Sequence, residues 1–415
     1  MNYNKIIWML LLLAATLSGQ WEPVGPYVCG SLGFLTLSLT NDANIYVTAS
    51  KAPLPAFVAK STSGGLNWKT IGVIPTSVNW MTIAPTNERK LYATCDSLIY
   101  RSTDGGTSWI QTIMSNKIFN IINVNPSDTT VIYAGGSSCI DQKWLMAFFK
   151  STDSGISWTT VTPDTTRGSV SALAMDNADP QIIYIGGYCW IGNQRTPKIF
   201  KSVNGGLTWS DATGNIPTYG RCITSLAIHP TNSNILYAGT YMDGIYRSTN
   251  AGASWTRVFS TSFSIAKITT SINSPDLAYA GGWFGIYKTT DAGASWYPVY
   301  DSVIGDLVAS AQNALIVYAI TGYNIFKTSD GGISWVNINN DLNFSSITTF
   351  TNAPSSPSTI YASVACMGDD VGIFKTTNSG TDWFLLPTSS ACGSVCEIAV
   401  AYNDPNVVYL QEGKG

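Results

Sequence analysis

Between Ile223 and Phe259 apolar and polar residues alternate in short runs, broken at regular intervals by turn formers. ITSLAIH (Ile223 to His229), ILYAGT (Ile235 to Thr240), GIYRST (Gly244 to Thr249) and SWTRVF (Ser254 to Phe259) are each rich in β-branched, aromatic and other apolar residues interleaved with small or polar ones, and Pro230 to Ser233 turn the chain between the first two. Period-two alternation between turn clusters predicts strands, here four antiparallel ones, A to D. The pattern repeats along the chain. Its second-strand signature returns nine times, as Ile45-Tyr46, Leu91-Tyr92, Ile132-Tyr133, Ile183-Tyr184, Leu236-Tyr237, Ala278-Tyr279, Val317-Tyr318, Ile360-Tyr361 and Val408-Tyr409.

A turn closed by tryptophan precedes the fourth strand in eight copies, most clearly in RSTDGGTSW (Arg101 to Trp109), KSTDSGISW (Lys150 to Trp158) and KTSDGGISW (Lys327 to Trp335). The tryptophans are Trp68, Trp109, Trp158, Trp209, Trp255, Trp296, Trp335 and Trp383, and their seven intervals average 45 residues. Four strands in a unit of that length predict an all-β propeller of four-stranded antiparallel blades, with eight complete repeats and a partial ninth beginning near Glu397. QWEPVG (Gln20 to Gly25) is similar to the fourth strand SWYPVY (Ser295 to Tyr300), so nine blades in a single ring, joined by strands from both ends of the chain, is the reading taken. A seven-bladed ring followed by the start of a second is the alternative. Residues 1–19 are read as a signal peptide and 20–415 as the propeller, truncated in its last blade.

In the turn pattern Ser/Thr-x-Asp-x-Gly-x-Thr/Ser-Trp, an Asp carboxylate can accept backbone N–H groups of its own turn, and Gly supplies a positive φ. Asp stands at Asp104, Asp153, Asp291 and Asp330; Asn replaces it at Asn204, Asn250 and Asn378, and Ser63 in the first copy. The pattern resembles the Asp-box, or bacterial neuraminidase repeat, of sialidases, xyloglucanase-type glycoside hydrolases, the sortilin ectodomain and photosystem II assembly factors. That resemblance implies the propeller but no single activity, because such folds host unrelated functions. Neutral Asn and Ser in half of the copies assign these turns a structural role. The Arg-Ile-Pro motif of sialidases is absent, as is the early Arg-Thr-Asp stretch of the xyloglucanases.

Composition narrows the function classes. Charged residues make up 11% of the chain and the net charge is -3, with no basic run, which argues against nucleic acid as a partner. Lys5, the apolar stretch Ile6 to Ala15 and the small residues Ser18 and Gly19 have the form of a secretory signal. The expected location is secreted, periplasmic or cell-surface, without a membrane span once the signal is removed. The eight cysteines include no CxxC pair, and Cys392 and Cys396 have no histidine nearby, so no metal or cofactor is expected. Disulfides are expected instead: Cys139 with Cys189, then Cys366 with Cys392 or Cys396, among the many connectivities that eight cysteines allow.

A–B and C–D turns share one face of a propeller, while B–C and D–A connections share the other. Function is expected on the second face, since loops on a rigid scaffold usually carry it. The long B–C segments, 135–149, 186–200 and 364–374, hold Asp141, Trp144, Trp190, Arg195, Asp369 and Asp370; shorter ones hold Asp243 and Trp283. Trp144, Trp190, Arg195 and Trp283 are the candidate ligand contacts, since aromatic rings over a polar rim suit sugars or peptide side chains. Asp141, Asp243, Asp369 and Asp370 are candidate catalytic carboxylates, as a glycosidase needs a placed pair. The single histidine, His229, is read as a turn residue. The leading expectation is a non-catalytic propeller binding an extracellular glycan or protein; a glycoside hydrolase is the alternative and an assembly or scaffold factor the third.

Overall fold

The structure, a computed structural model, describes residues 31–338 apart from 39–40, 42, 51–55, 67, 219–220, 311–312 and 322–323; beyond 338 it describes the strands and a few positions between them. Within 31–338 the chain forms seven four-stranded antiparallel sheets, at 31–74, 80–113, 117–161, 168–211, 223–259, 265–300 and 306–337. Strands lie in chain order within each sheet, so every blade is one contiguous repeat.

The seven blades close into a ring. Each first strand touches the first strands of both neighbours, and Asp306–Ala309 of blade 7 completes the circuit against Ser31–Leu37 of blade 1. Three hydrogen bonds fasten the same seam. Leu35 N donates to Asp306 Oδ2 at 3.0 Å, Trp68 Nε1 to the Ile338 carbonyl at 3.1 Å, and Lys327 Nζ to the Gly64 carbonyl at 3.4 Å. The nine-bladed single ring is therefore corrected to the seven-bladed alternative. Repeat number does not fix the ring, because the angle at which neighbouring blades pack decides how many complete a circle. Closure needs no strand exchange: the fourth strand of blade 1 is its own Lys69–Ile74, paired to Ala56–Ser61. Residues 346–385 form a further four-stranded sheet and 395–412 a strand pair. Gln20 to Gly25, Asn378 and Trp383 lie outside the described residues.

The core is divided among the seams rather than held inside any blade. Seven buried clusters occur, one per blade interface, including that between blades 7 and 1. Alternation of side chains along a strand explains the recurring Ile-Tyr pair. Ile45 points into the seam with blade 7 and Tyr46 into the seam with blade 2; Ile132 and Tyr133 divide in the same way between blades 2 and 4. The tyrosines of the pairs in the seven ring blades, from Tyr46 to Tyr318, are all fully buried.

The tryptophan-closed turns, called box turns below, obey one hydrogen-bond plan. The opening Ser or Thr hydroxyl accepts the amide of the second turn glycine, at 2.8 Å for Ser102 and Gly106 and at 2.8 Å for Thr328 and Gly332. The Asp accepts the amide four residues on, as Asp104 Oδ1 does from Ser108 N at 2.9 Å, while Ser108 Oγ donates to Asp104 Oδ2 at 2.5 Å. Asn keeps this geometry with one bond reversed: Asn204 Oδ1 accepts Thr208 N, and Asn204 Nδ2 donates to Thr208 Oγ1 at 2.7 Å. The serine hydroxyl and backbone donors hold the Asp104, Asp153 and Asp291 carboxyls down to about 2, and Asp330 lower still. Each box turn also bonds the A–B turn of its own blade, from Gly64 N to Ala43 O in blade 1 through Gly331 N to Leu315 O in blade 7, which puts both turn sets on one face.

Candidate functional site

Across the ring from the box turns, blades 3 and 4 break the repeat. Their second and third strands are nine residues each, Ile132–Ile140 with Lys143–Ser151 and Ile183–Ile191 with Gln194–Ser202. The matching strands of blade 6 are Ala278–Gly282 and Gly285–Thr289, five residues each. What the sequence presents as long loops is thus strand pairing carried outward to two-residue tips. Asp141 and Gln142 have φ of +47° and +62°, the paired left-handed residues of a type I′ turn, and Gly192 has φ +61° at the other tip.

Residues from these two hairpins line one groove, among them the aromatic Trp144, Tyr188 and Trp190. Trp190 lies opposite Arg195, and Tyr188 lies two residues back on the same side of the strand. The two rings meet edge-on with centroids 6.4 Å apart, and the Arg195 guanidinium lies 4.8 Å from the Tyr188 ring and 5.4 Å from Trp190. Trp144, on the blade 3 hairpin, is 37% exposed and forms the other wall of a groove of about 380 Å³. Its floor is polar and self-satisfied: Asn120 Nδ2 donates to Ser169 Oγ at 2.9 Å, and Ser137 Oγ to Ser169 Oγ at 2.8 Å. Arg167 closes the groove from the connection between the blades. Its backbone bridges to Leu145 of one hairpin, and its carbonyl accepts Trp190 N of the other at 2.6 Å. No carboxylate appears among the described lining residues.

At Ser171 the groove meets a second cavity, of about 250 Å³, lined by the inner strands around the ring axis. Lys267 reaches across that cavity from blade 6 until its Nζ stands 3.7 Å from the centre of the Trp80 ring of blade 2. Asp306 Oδ1 is 4.0 Å from the same Nζ. Burial lowers the Lys267 ammonium and raises the Asp306 carboxyl, each opposed by the charge of the other. With Asp306 also accepting the Leu35 and Leu307 amides, this pair ties the axis to the ring seam.

The other candidates fall elsewhere. Asp243 is buried and committed: its carboxylate pairs with Arg221 and, at 2.9 Å, with Arg257, and accepts the Tyr246 hydroxyl at 2.6 Å. A carboxylate so occupied is a brace for the blade 5 turn, not a free acid or base. Asp141 is exposed at its hairpin tip, where its positive φ gives it a turn role. Trp283 is 57% exposed on blade 6, in a separate depression with Phe284, Asp301 and Val303. Asp369, Asp370, Cys366 and Cys392 lie outside the described residues.

The expected Cys139–Cys189 bridge is corrected, since both thiols are free. Cys189 points into the seam between blades 3 and 4, with Sγ 3.4 Å from Met146 Sδ, and burial pushes its thiol up. Cys139 sits near the end of its strand opposite Trp144. Strand pairing, not a crosslink, stiffens both hairpins. His229 occupies the first turn of blade 5, where its Nδ1 accepts Thr231 N at 3.4 Å. Among the described residues no group of three or more His, Cys, Asp or Glu is placed to hold a metal ion, and no helix is long and apolar enough to cross a membrane. Tyr188 and the floor residues were missed in the sequence; the i, i+2 spacing of Tyr188 to Trp190 is the signal that finds the first of them.

Residues 36–258, more than half of the chain, match the profile described as the DUF6242 beta propeller domain. The chain belongs to this family. The family match runs from the end of the first strand of blade 1 through blade 5 and so includes the whole groove. Over a shorter stretch the chain is similar to two xyloglucanases. It is 34% identical to one from Paenibacillus sp over 107 residues, 23% of this chain and 10% of that protein. It is 37% identical to one from Acetivibrio thermocellus over 101 residues, 21% of this chain and 12% of that protein. The similarity therefore spans about a tenth of the length of these curated relatives. Among solved structures, YCF48 from Cyanidioschyzon merolae superposes with a TM-score of 0.51 at 13% identity, covering 75% of this chain and 98% of the other, which is a likeness of fold.

Proposed function

We propose that this propeller is a secreted, non-catalytic module of the Asp-box type that binds a glycan in the groove of blades 3 and 4. The observation carrying this reading is the placing of Trp144, Tyr188 and Trp190 by two rigid hairpins over a hydrogen-bonded polar floor. Aromatic faces pack on the C–H faces of sugar rings, and a floor of hydroxyls and amides fixes their orientation. Rings held on paired strands lose little freedom on binding, which lowers the entropic cost of association. Local similarity to xyloglucanases supports a carbohydrate ligand.

Hydrolysis is the second reading, favoured by the names of those relatives. It requires two carboxyls about 5–9.5 Å apart across the scissile bond. Of the described candidates, Asp243 is fully engaged and Asp141 forms a turn. Affinity electrophoresis of the purified protein through a panel of polysaccharides, with reducing ends assayed in parallel, decides between the two. Retardation without new reducing ends, lost in Trp144→Ala and Trp190→Ala, is the expected result. Turnover abolished by Asp141→Ala would overturn the non-catalytic reading.

A further inference from the structure

We infer that the glycan recognised by this groove is acidic, carrying uronate carboxylates. The inference rests on the glycan-binding reading and adds the charge of the ligand. Two cations border the groove, and neither has an ion-pair partner among the described residues. Arg167 lines it, and Arg195 stacks on Tyr188 and Trp190, two of its lining residues. Lys143, exposed beside the blade 3 tip, adds a third cation without an ion pair among the described residues, while Arg221 and Arg257 hold Asp243 and Lys198 bonds Asp211 at 2.6 Å. In a chain of net charge -3, two unpaired arginines at one groove mark a local excess of positive charge.

Their mounting suits carboxylate capture. Two aromatic rings hold the Arg195 guanidinium in place, so the cost of ordering its long side chain is met before a ligand arrives. Stacking occupies the faces of a guanidinium and leaves its N–H edge free, and that edge matches a carboxylate with two parallel hydrogen bonds. Arg167 is anchored through its backbone to both hairpins. Neither acidic residue close by in the chain, Asp164 or Asp141, forms an ion pair with these arginines. Asp164 accepts the amide and hydroxyl of Thr166 in its own turn, and Asp141 stands at the tip of the blade 3 hairpin. A neutral glycan seated here would strip water from two arginines and offer no compensating charge, so the same groups that attract a uronate discriminate against a neutral sugar.

The test compares polygalacturonate and alginate with neutral xyloglucan and mixed-linkage glucan, by affinity electrophoresis at low and high salt. Poly-glutamate serves as an acidic polymer without sugar rings. The wild type is set beside Arg167→Gln, Arg195→Gln and Trp144→Ala, with near-ultraviolet circular dichroism confirming that each is folded. The expected result is preference for the uronate polymers, weakened by salt, about tenfold weaker in each arginine variant (about 1.4 kcal/mol), and also lost in Trp144→Ala. Should the neutral glucans bind as well as the uronates, with no effect of salt or of either arginine variant, the acidic ligand is excluded while the glycan-binding reading stands. Binding to poly-glutamate and to no glycan would overturn both.

Discussion

The two faces of this ring treat the same repeat in opposite ways. On one face seven box turns share the bond from a turn amide to the opening hydroxyl, and Asn keeps the further Asp bond at Asn204 and Asn250. On the other, blades 3 and 4 lengthen both strands of the B–C hairpin to nine residues and put Trp144, Tyr188, Trp190 and Arg167 around one groove, with Arg195 stacked on two of those rings. Uniformity marks what every blade needs in order to fold, namely a tight turn and a tryptophan laid over its neighbour. Departure from the repeat marks what only this protein needs. The box turns are therefore expected to govern stability without touching binding, and the groove the reverse.

The largest effect comes from breaking the ring on the box-turn face. Trp68 is buried in the seam of blades 7 and 1 and donates to Ile338 there, whereas Trp109 is half-buried and donates to Gly106 within its own turn. Trp68→Ala should cost about 3–5 kcal/mol of unfolding free energy, the range for deleting a large buried aromatic side chain, and Trp109→Ala clearly less. Urea unfolding of both variants measures this, and equal losses would show that closure is not the weak seam. Asp243→Ala follows, at about 2–3 kcal/mol, because it leaves Arg221 and Arg257 facing each other without their shared carboxylate. If Asp243 were instead a catalytic acid, the variant would keep its melting temperature and lose turnover.

Much of the fold can be read from the chain because each blade is local. Ile-Tyr pairs and tryptophan turns recur at fixed spacing, and each repeat folds into one sheet without borrowing a strand. Ring size is not local. It depends on Leu35 meeting Asp306 and Lys327 meeting Gly64, contacts between residues more than two hundred and fifty positions apart that no repeat count encodes. The site was half legible. Trp144, Trp190 and Arg195 stand out as residues absent from other repeats, yet Asp141-Gln142 hides a type I′ turn because neither residue is the glycine that usually announces one. That concealment turns two rigid hairpins into apparent loops and makes Cys139 and Cys189 look like their staples.

On the groove face the expected effects lie in binding alone. Trp190→Ala removes a ring that also holds Arg195, so glycan affinity should fall by at least about tenfold, or about 1.4 kcal/mol, with the melting temperature nearly unchanged. Trp283→Ala, on blade 6, should leave binding intact. Loss of binding in that variant would move the site away from blades 3 and 4.

The smallest effect separates the faces by pH. Asp104, Asp153 and Asp291 are held at about 2 by serine hydroxyl and backbone donors, against an ordinary 3.8 in the unfolded chain, and Asp330 is depressed in the same sense. A folded-state value below the unfolded one stabilises the protein above about pH 4, and that contribution drains away as the pH falls from 4 towards 2. Replacing all four with Asn copies the arrangement already present at Asn204 and Asn250, which carries no titrating proton. The wild type should therefore melt slightly higher than the fourfold variant at neutral pH, with the gap closing near pH 2 and glycan binding at neutral pH equal in both. Asp291 is exposed and Asp104, Asp153 and Asp330 are half-buried at the surface, so solvent screening keeps the gap small. A gap that stayed constant across that range would mean the box turns hold their shape without help from the charge, and that Asp and Asn are interchangeable there for geometry alone.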